Sequence, residues 1–154
     1  MLNQAYNTIL VGIDGSDQSY LAYEKAIAVA KRNNGTVVAA HVIENRVYTM
    51  MGYSSLNDNL LDQESTNAQE LMKDCEKRAE QADFSQLETV VTYGQAKEVM
   101  CTDLPKKYAV DLIMVGQSGL NAVERLMMGS VSSYIIRHAP CDVLIVHPEN
   151  AEAV

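Results

Sequence analysis

Five short apolar runs punctuate the chain, at residues 8–13, 36–43, 87–92, 111–115 and 142–146. They are apolar at odd and even positions alike and rich in Val and Ile, the pattern of strands buried on both faces of a parallel sheet. Between them apolar residues recur at helical spacing. Residues 17–33 carry Ala22, Ala26, Val29 and Ala30; residues 61–82 carry Ala68, Leu71, Cys75 and Ala79. A third helix is expected over 95–107, stopping or bending at Pro105, and a last one over 130–138 with Val131, Tyr134, Ile135 and His138 on one side. Ser16 or Asp17 is placed to cap the first helix, and the triplet Asn33-Asn34-Gly35 to end it, with Gly35 suited to a left-handed cap. Residues 44–60 are polar, with Tyr48, Met50, Met51 and Tyr53 among Ser and Asn, and read as a long loop. The order βαβαβαβαβ predicts an α/β fold: an open five-stranded parallel sheet with helices on both faces, Rossmann-like, in a single domain over residues 1–154. In such sheets ligands sit beyond the carboxyl ends of the strands, where strand order reverses.

Composition narrows the partners. The formal net charge is −8, which argues against nucleic acid and requires an anionic ligand to be held by local amides or a metal. Cys75, Cys101 and Cys141 show no metal-ligand or disulfide spacing, so reduced cytoplasmic thiols are expected. No apolar run is long enough to span a membrane, and residues 1–6 do not resemble a signal peptide.

The stretch after the fourth strand carries the chemistry. Gly116-Gln117-Ser118-Gly119 is followed by nine residues and then Gly129-Ser130, a G-x2-G-x9-G-[ST] pattern. Glycines at a strand exit admit a ligand close to the backbone. Gly129-Ser130 opens a helix whose first amides lack helical partners and, with the helix dipole, attract anions. A nucleotide, ATP foremost, fits this pattern. Replacing Gly116 and Gly129 by Ala is expected to remove ligand binding while sparing the fold. The bland readings are specific too. Gly116 and Gly119 also suit a plain strand-exit turn, Asp14 a turn acid, Ser132 a solvent-facing first-turn residue and Arg125 a surface residue. His41 reads as a partly buried strand residue, and Cys141 as a buried small apolar one.

Val11-Gly12-Ile13-Asp14-Gly15-Ser16, then His41-Val42, then the glycine pattern continuing as Ser130-Val131-Ser132-Ser133-Tyr134 and His138-Ala139-Pro140-Cys141-Asp142-Val143-Leu144-Ile145-Val146 resemble the universal stress protein family over nearly the whole chain. The resemblance implies strand order 3-2-1-4-5, the adenine nucleotide alpha hydrolase-like variant of the fold, and the ATP-binding branch. It implies that Asp14 and the Val42 backbone meet the adenine and that Gly116, next to Val115, lies on the ribose side. It places Gly119, Gly129, Ser130 and Ser132, with Val131 among them, at the phosphates. It further implies a homodimer, often through the last strand, 142–146, with a tetramer also open. Many members carry a basic residue or His between the first two glycines; Gln117 and Ser118 stand there instead. Arg125 or a divalent cation, Mg²⁺ or Mn²⁺, bridging the phosphates would supply the missing charge.

Three functions follow. The first is an ATP-binding cytoplasmic regulatory protein of the stress response, acting as a homodimer. The second is a slow ATP hydrolase or phosphoryl or adenylyl transferase, although Walker, GxGxxG, GxSxG and SGGxDS sequences are absent. The third is a dimeric scaffold without nucleotide. No residue is assigned a catalytic role.

Overall fold

In the computed structural model, residues 5–44, 54–118 and 128–148 are described, with the backbone alone for 54–58. The elements are β1 (Thr8–Gly12), α1 (Asp17–Asn33), β2 (Thr36–Ile43), α2 (Ser54–Gln81), β3 (Leu87–Tyr93), α3 (Ala96–Glu98), a π-helical turn (Val99–Asp103), α4 (Leu104–Tyr108), β4 (Leu112–Gly116), α5 (Ser130–His138) and β5 (Asp142–Val146). The five strands form one parallel sheet in the order β3-β2-β1-β4-β5. The expected fold class and strand order are both present.

Strand alternation divides the core. Ile9, Val11, Val37, Ala39, Leu112 and Met114 face α1 and α2, meeting Ala22, Tyr23, Ala26, Ala30, Met72 and Cys75. Leu10, Val38, Ala40, Ile113 and Val115 face the other way, onto Val99, Met100, Cys101, Leu104 and Ile135. The inner strands β1, β2 and β4 are therefore covered on both faces, which is why they read as apolar runs, while the edge strands β3 and β5 are more exposed. Two polar links fix the layers. The Tyr23 hydroxyl donates to the Cys75 carbonyl at 2.6 Å, joining α1 to α2. Asp111 accepts from the Asn7 and Thr8 amides at 2.8 and 3.1 Å, fixing the entry of β1 beside β4.

Several expectations are corrected. Helix α2 begins at Ser54, so the long loop expected over 44–60 loses its last seven residues to helix, while 45–53 lie outside the described residues. The left-handed residue ending α1 is Asn34, at φ 53° and ψ 40°, not Gly35. Gly35 is required by space instead: a Cβ there would lie 2.5 Å from the Tyr6 carbonyl oxygen. Pro105 neither stops nor sharply ends the third helix. The helix widens one turn earlier, the Leu104 amide reaching back to the Val99 carbonyl, and Pro105 then sits in the first turn of α4. A proline ring clashes with the carbonyl four residues before it, and a π turn relieves this by adding one residue to the loop. Cys141 is half-buried, not buried.

Gly35→Ala should cost about 1–3 kcal/mol in urea unfolding, because the clash is with backbone on a neighbouring segment. Burial pushes the Cys75 thiol up from 9.0 to about 12, and burial with the Asp74 carboxylate raises Tyr20 to about 12. The folded chain thus keeps protons that the unfolded chain releases near their ordinary values. That contribution is fully present below about pH 8.5 and is lost as pH rises toward 12. The urea midpoint should fall between pH 8.5 and 11, and Cys75→Ala should flatten the first part of that decline.

Candidate functional site

The carboxyl ends of β1, β2 and β4 set out the site. The turn after β1 is held by Asp14, whose Oδ1 accepts from the Ser16 amide at 2.9 Å and the Ser16 hydroxyl at 2.5 Å. Ser16 in turn caps α1, its Oγ accepting from the Ser19 amide at 3.1 Å. His41 on β2 closes the same turn, with Nδ1 2.6 Å from the Ile13 carbonyl. It is the half-buried strand residue expected. The last rung between β1 and β2 is the Ile13 amide to the Ala40 carbonyl, 2.8 Å. Since Ala40 faces β1, Val42, two residues on, turns its peptide groups to the same side, past that rung.

The β4 exit is built by packing. Gly116 closes β4 against the first turn of α1, where a Cβ would lie 3.1 Å from both Cβ and the carbonyl oxygen of Gln18. The Gln18 side-chain oxygen accepts from the Ser118 amide at 3.1 Å. The Gln117 carbonyl accepts from the Gly129 amide at 2.8 Å, and the Ser132 hydroxyl donates to the Gly116 carbonyl at 2.8 Å. These contacts hold the start of α5 against the end of β4. Ser132 is buried, not solvent-facing, and its hydroxyl is engaged in this clasp. Val115 is a core residue, so only its backbone could meet a ligand. Gly119 and Arg125 lie outside the described residues.

Gly129 is the N-cap of α5 with φ −62° and ψ 156°, and among the described residues no side chain caps the helix. The first amides of α5 are left to solvent or to a ligand. Beside them is a cavity of about 310 Å³ lined by Glu44, Gln95, Lys97, Ser130, Val131 and Tyr134. Ser130 and Val131 are thus brought to the cavity wall; Asp14, Val42 and Val115 are not. Glu44, Gln95, Lys97 and Tyr134 were missed by the sequence reading. The signals available were Glu44 as the first polar residue after the second apolar run, and Gly94 at the β3 exit. Ser118, only 5 % exposed, has a hydroxyl with no hydrogen-bond partner among the described residues. An orphaned buried hydroxyl costs about 1–3 kcal/mol, and a ligand oxygen at the β4 exit would offset that.

The site suits an anion with a polar body. Neither Cys101 in the core nor Cys141 at the entry of β5 is among the residues lining the cavity, and burial pushes Cys101 up and Cys141 up to about 11. No group of three or more His, Cys, Asp or Glu suited to a metal occurs among the described residues.

The model of the Universal stress protein family matches residues 5–147. A putative universal stress protein of Staphylococcus haemolyticus is 40% identical over 144 residues, covering 94% of this chain and 86% of its own. One from Staphylococcus aureus is 38% identical over 148 residues, covering 96% and 88%. The solved universal stress protein from Lactobacillus plantarum superposes with a TM-score of 0.82 at 31% identity, covering 94% of this chain and all of that one. A universal stress protein solved in complex with cAMP superposes at 0.71 with 26% identity, covering 94% and 98%. The chain belongs to the universal stress protein family.

Because Gly116 is packed on helix backbone, the expectation that Gly116→Ala spares the fold is revised. That variant should lose about 1–3 kcal/mol of stability in a denaturant titration, and any loss of ligand binding by it must be read against that.

Proposed function

We propose that this universal stress protein binds an adenine nucleotide, ATP foremost, at the carboxyl edge of its sheet. The observation that carries the reading is the uncapped N-terminus of α5, held beside the β4 exit and opening on a cavity. Helix amides and dipole suit phosphate oxygens, the orphaned Ser118 hydroxyl adds a donor, and the Val42 backbone suits the edge of a base. The likeness to a universal stress protein solved with cAMP supports an adenine nucleotide as the ligand. Mg²⁺ or Mn²⁺ would accompany a triphosphate and neutralise its charge.

Binding is favoured over turnover. Of the ionisable groups near the site, Glu44 accepts from the Ala96 amide at 3.1 Å and His41 is engaged with the Ile13 carbonyl. Neither is set up as an oriented base of the kind fast phosphoryl transfer needs. The reading is therefore a regulatory nucleotide binder of the cytoplasm, with weak hydrolysis at most. A homodimer through β5 completes it. β5 is a sheet edge, and it exposes Leu144 at 40%, an edge that a second copy would cover.

Ser130→Pro tests the site. Ser130 is the first helical residue, and Gly129 before it already has the extended backbone that precedes proline. The substitution removes one amide donor and one hydroxyl without disturbing the helix. ATP affinity, by calorimetry on nucleotide-stripped protein, should fall about tenfold or more, with the melting temperature little changed. Equal affinity in the variant would refute the placement of phosphate at α5.

A further inference from the structure

The cavity carries a charge that the glycine pattern does not explain. Lys97, from α3, and Tyr134, from α5, both line it, and the Lys97 ammonium lies 5.3 Å from the centre of the Tyr134 ring. A helical side chain leans toward the N-terminus and covers the turn before its own Cα. Tyr134 therefore lies over the first turn of α5, where Ser130 and Val131 line the same cavity. The ring, by its negative face, holds the ammonium in that place.

Among the described residues Lys97 makes no ion pair. The one acid lining the cavity, Glu44, accepts from the Ala96 backbone amide instead. In a chain of net charge −8, the Lys97 ammonium and the amide end of α5 form the positive side of a cavity whose other charge is the Glu44 carboxylate, held at the Ala96 amide. The positions between the first two glycines, Gln117 and Ser118, bring no charge. Lys97 comes from a different element, after β3.

Resting on the nucleotide reading above, we propose that Lys97 is the phosphate-facing cation of this site. Tyr134 positions it over the first turn of α5, and it sets the preference for nucleotides over the bare nucleoside. A single ammonium acts as a point charge, so it adds affinity for phosphate without fixing one geometry.

The test is calorimetry on the full chain, stripped of nucleotide, for wild type, Lys97→Met and Lys97→Arg, with ATP, AMP, adenosine and inorganic tripolyphosphate as probes. Half-buried Lys97 tolerates Met on packing grounds, and equal melting temperatures check this. Lys97→Met should weaken ATP and tripolyphosphate about tenfold or more and adenosine less than twofold. Lys97→Arg should restore most of the ATP affinity, and the salt dependence of ATP binding should shrink in Lys97→Met. ATP binding unchanged in Lys97→Met, or ATP and adenosine weakened equally, overturns the role of Lys97 and leaves the nucleotide reading standing. Tripolyphosphate bound through Lys97 without any ATP binding upholds the anion role and refutes the nucleotide reading. A wild-type chain that binds none of the four probes refutes both.

Discussion

The close approach of Gly116 to the backbone of Gln18 is the constraint on which the site depends. It brings the end of β4 onto the first turn of α1 with no side chain between them. From that contact the other parts follow in order. Gln18 can reach the Ser118 amide, Gln117 can receive the Gly129 amide, and Ser132 can donate to the Gly116 carbonyl. A Cβ at Gly116 would push α1 away from the β4 exit and loosen each of these bonds together. The glycine that reads as a ligand-approach position is, in the structure, a joint between two crossovers. The two roles are compatible: the joint fixes where the helix amides point.

The arrangement also accounts for how strand order becomes function. β1 is central, with β2 on one side and β4 on the other. The chain leaves β1 toward α1 on one face and leaves β4 toward α5 on the opposite face. The two exits diverge, and a crevice opens at the carboxyl edge between them, as in other open parallel sheets. Asp14, Ser16 and His41 tie down one lip through bonds to backbone and to one another. The clasp around Gly116 ties down the other. Among the described residues, what remains unbonded between the lips is the N-terminus of α5 and the Ser118 hydroxyl.

Much of this was legible in the sequence because burial on both faces leaves an unmistakable apolar run. The ends of α1, β2, α5 and β5 were all readable, since each is marked by a cap, a glycine or a charge. Other features turned on contacts between distant segments. Asn34 and Gly35 are both candidates for the left-handed position; the Tyr6 carbonyl packed on Gly35 settles what the glycine is for. The start of α2 lies in Ser, Asn and Asp residues, whose side chains compete with helical hydrogen bonds, so no local signal marks it. The π turn before Pro105 is a response to the ring and cannot be told from an ordinary bend by composition. Within the site, Ser130 and Val131 were found through the glycine pattern. Lys97 and Tyr134 were not: Lys97 stands in no motif, Tyr134 reads as part of the apolar side of its helix, and only the packing of α3 beside α5 brings them together.

Electrostatics gives the last link between composition and site. A chain this acidic repels a polyanion at long range, but screening reduces that repulsion beyond about 10 Å at ordinary salt. Inside a cavity the balance is set by what is near and poorly hydrated. Uncapped amides carry partial charges that cannot be lost by titration or moved by rotamer change. They impose direction, while a lysine above an aromatic ring adds charge with freedom to follow the ligand. On the proposed reading such a division would separate selection from strength: the fixed amides of α5 and the Val42 backbone would select the shape of the ligand, and the Lys97 ammonium would add affinity for its phosphates.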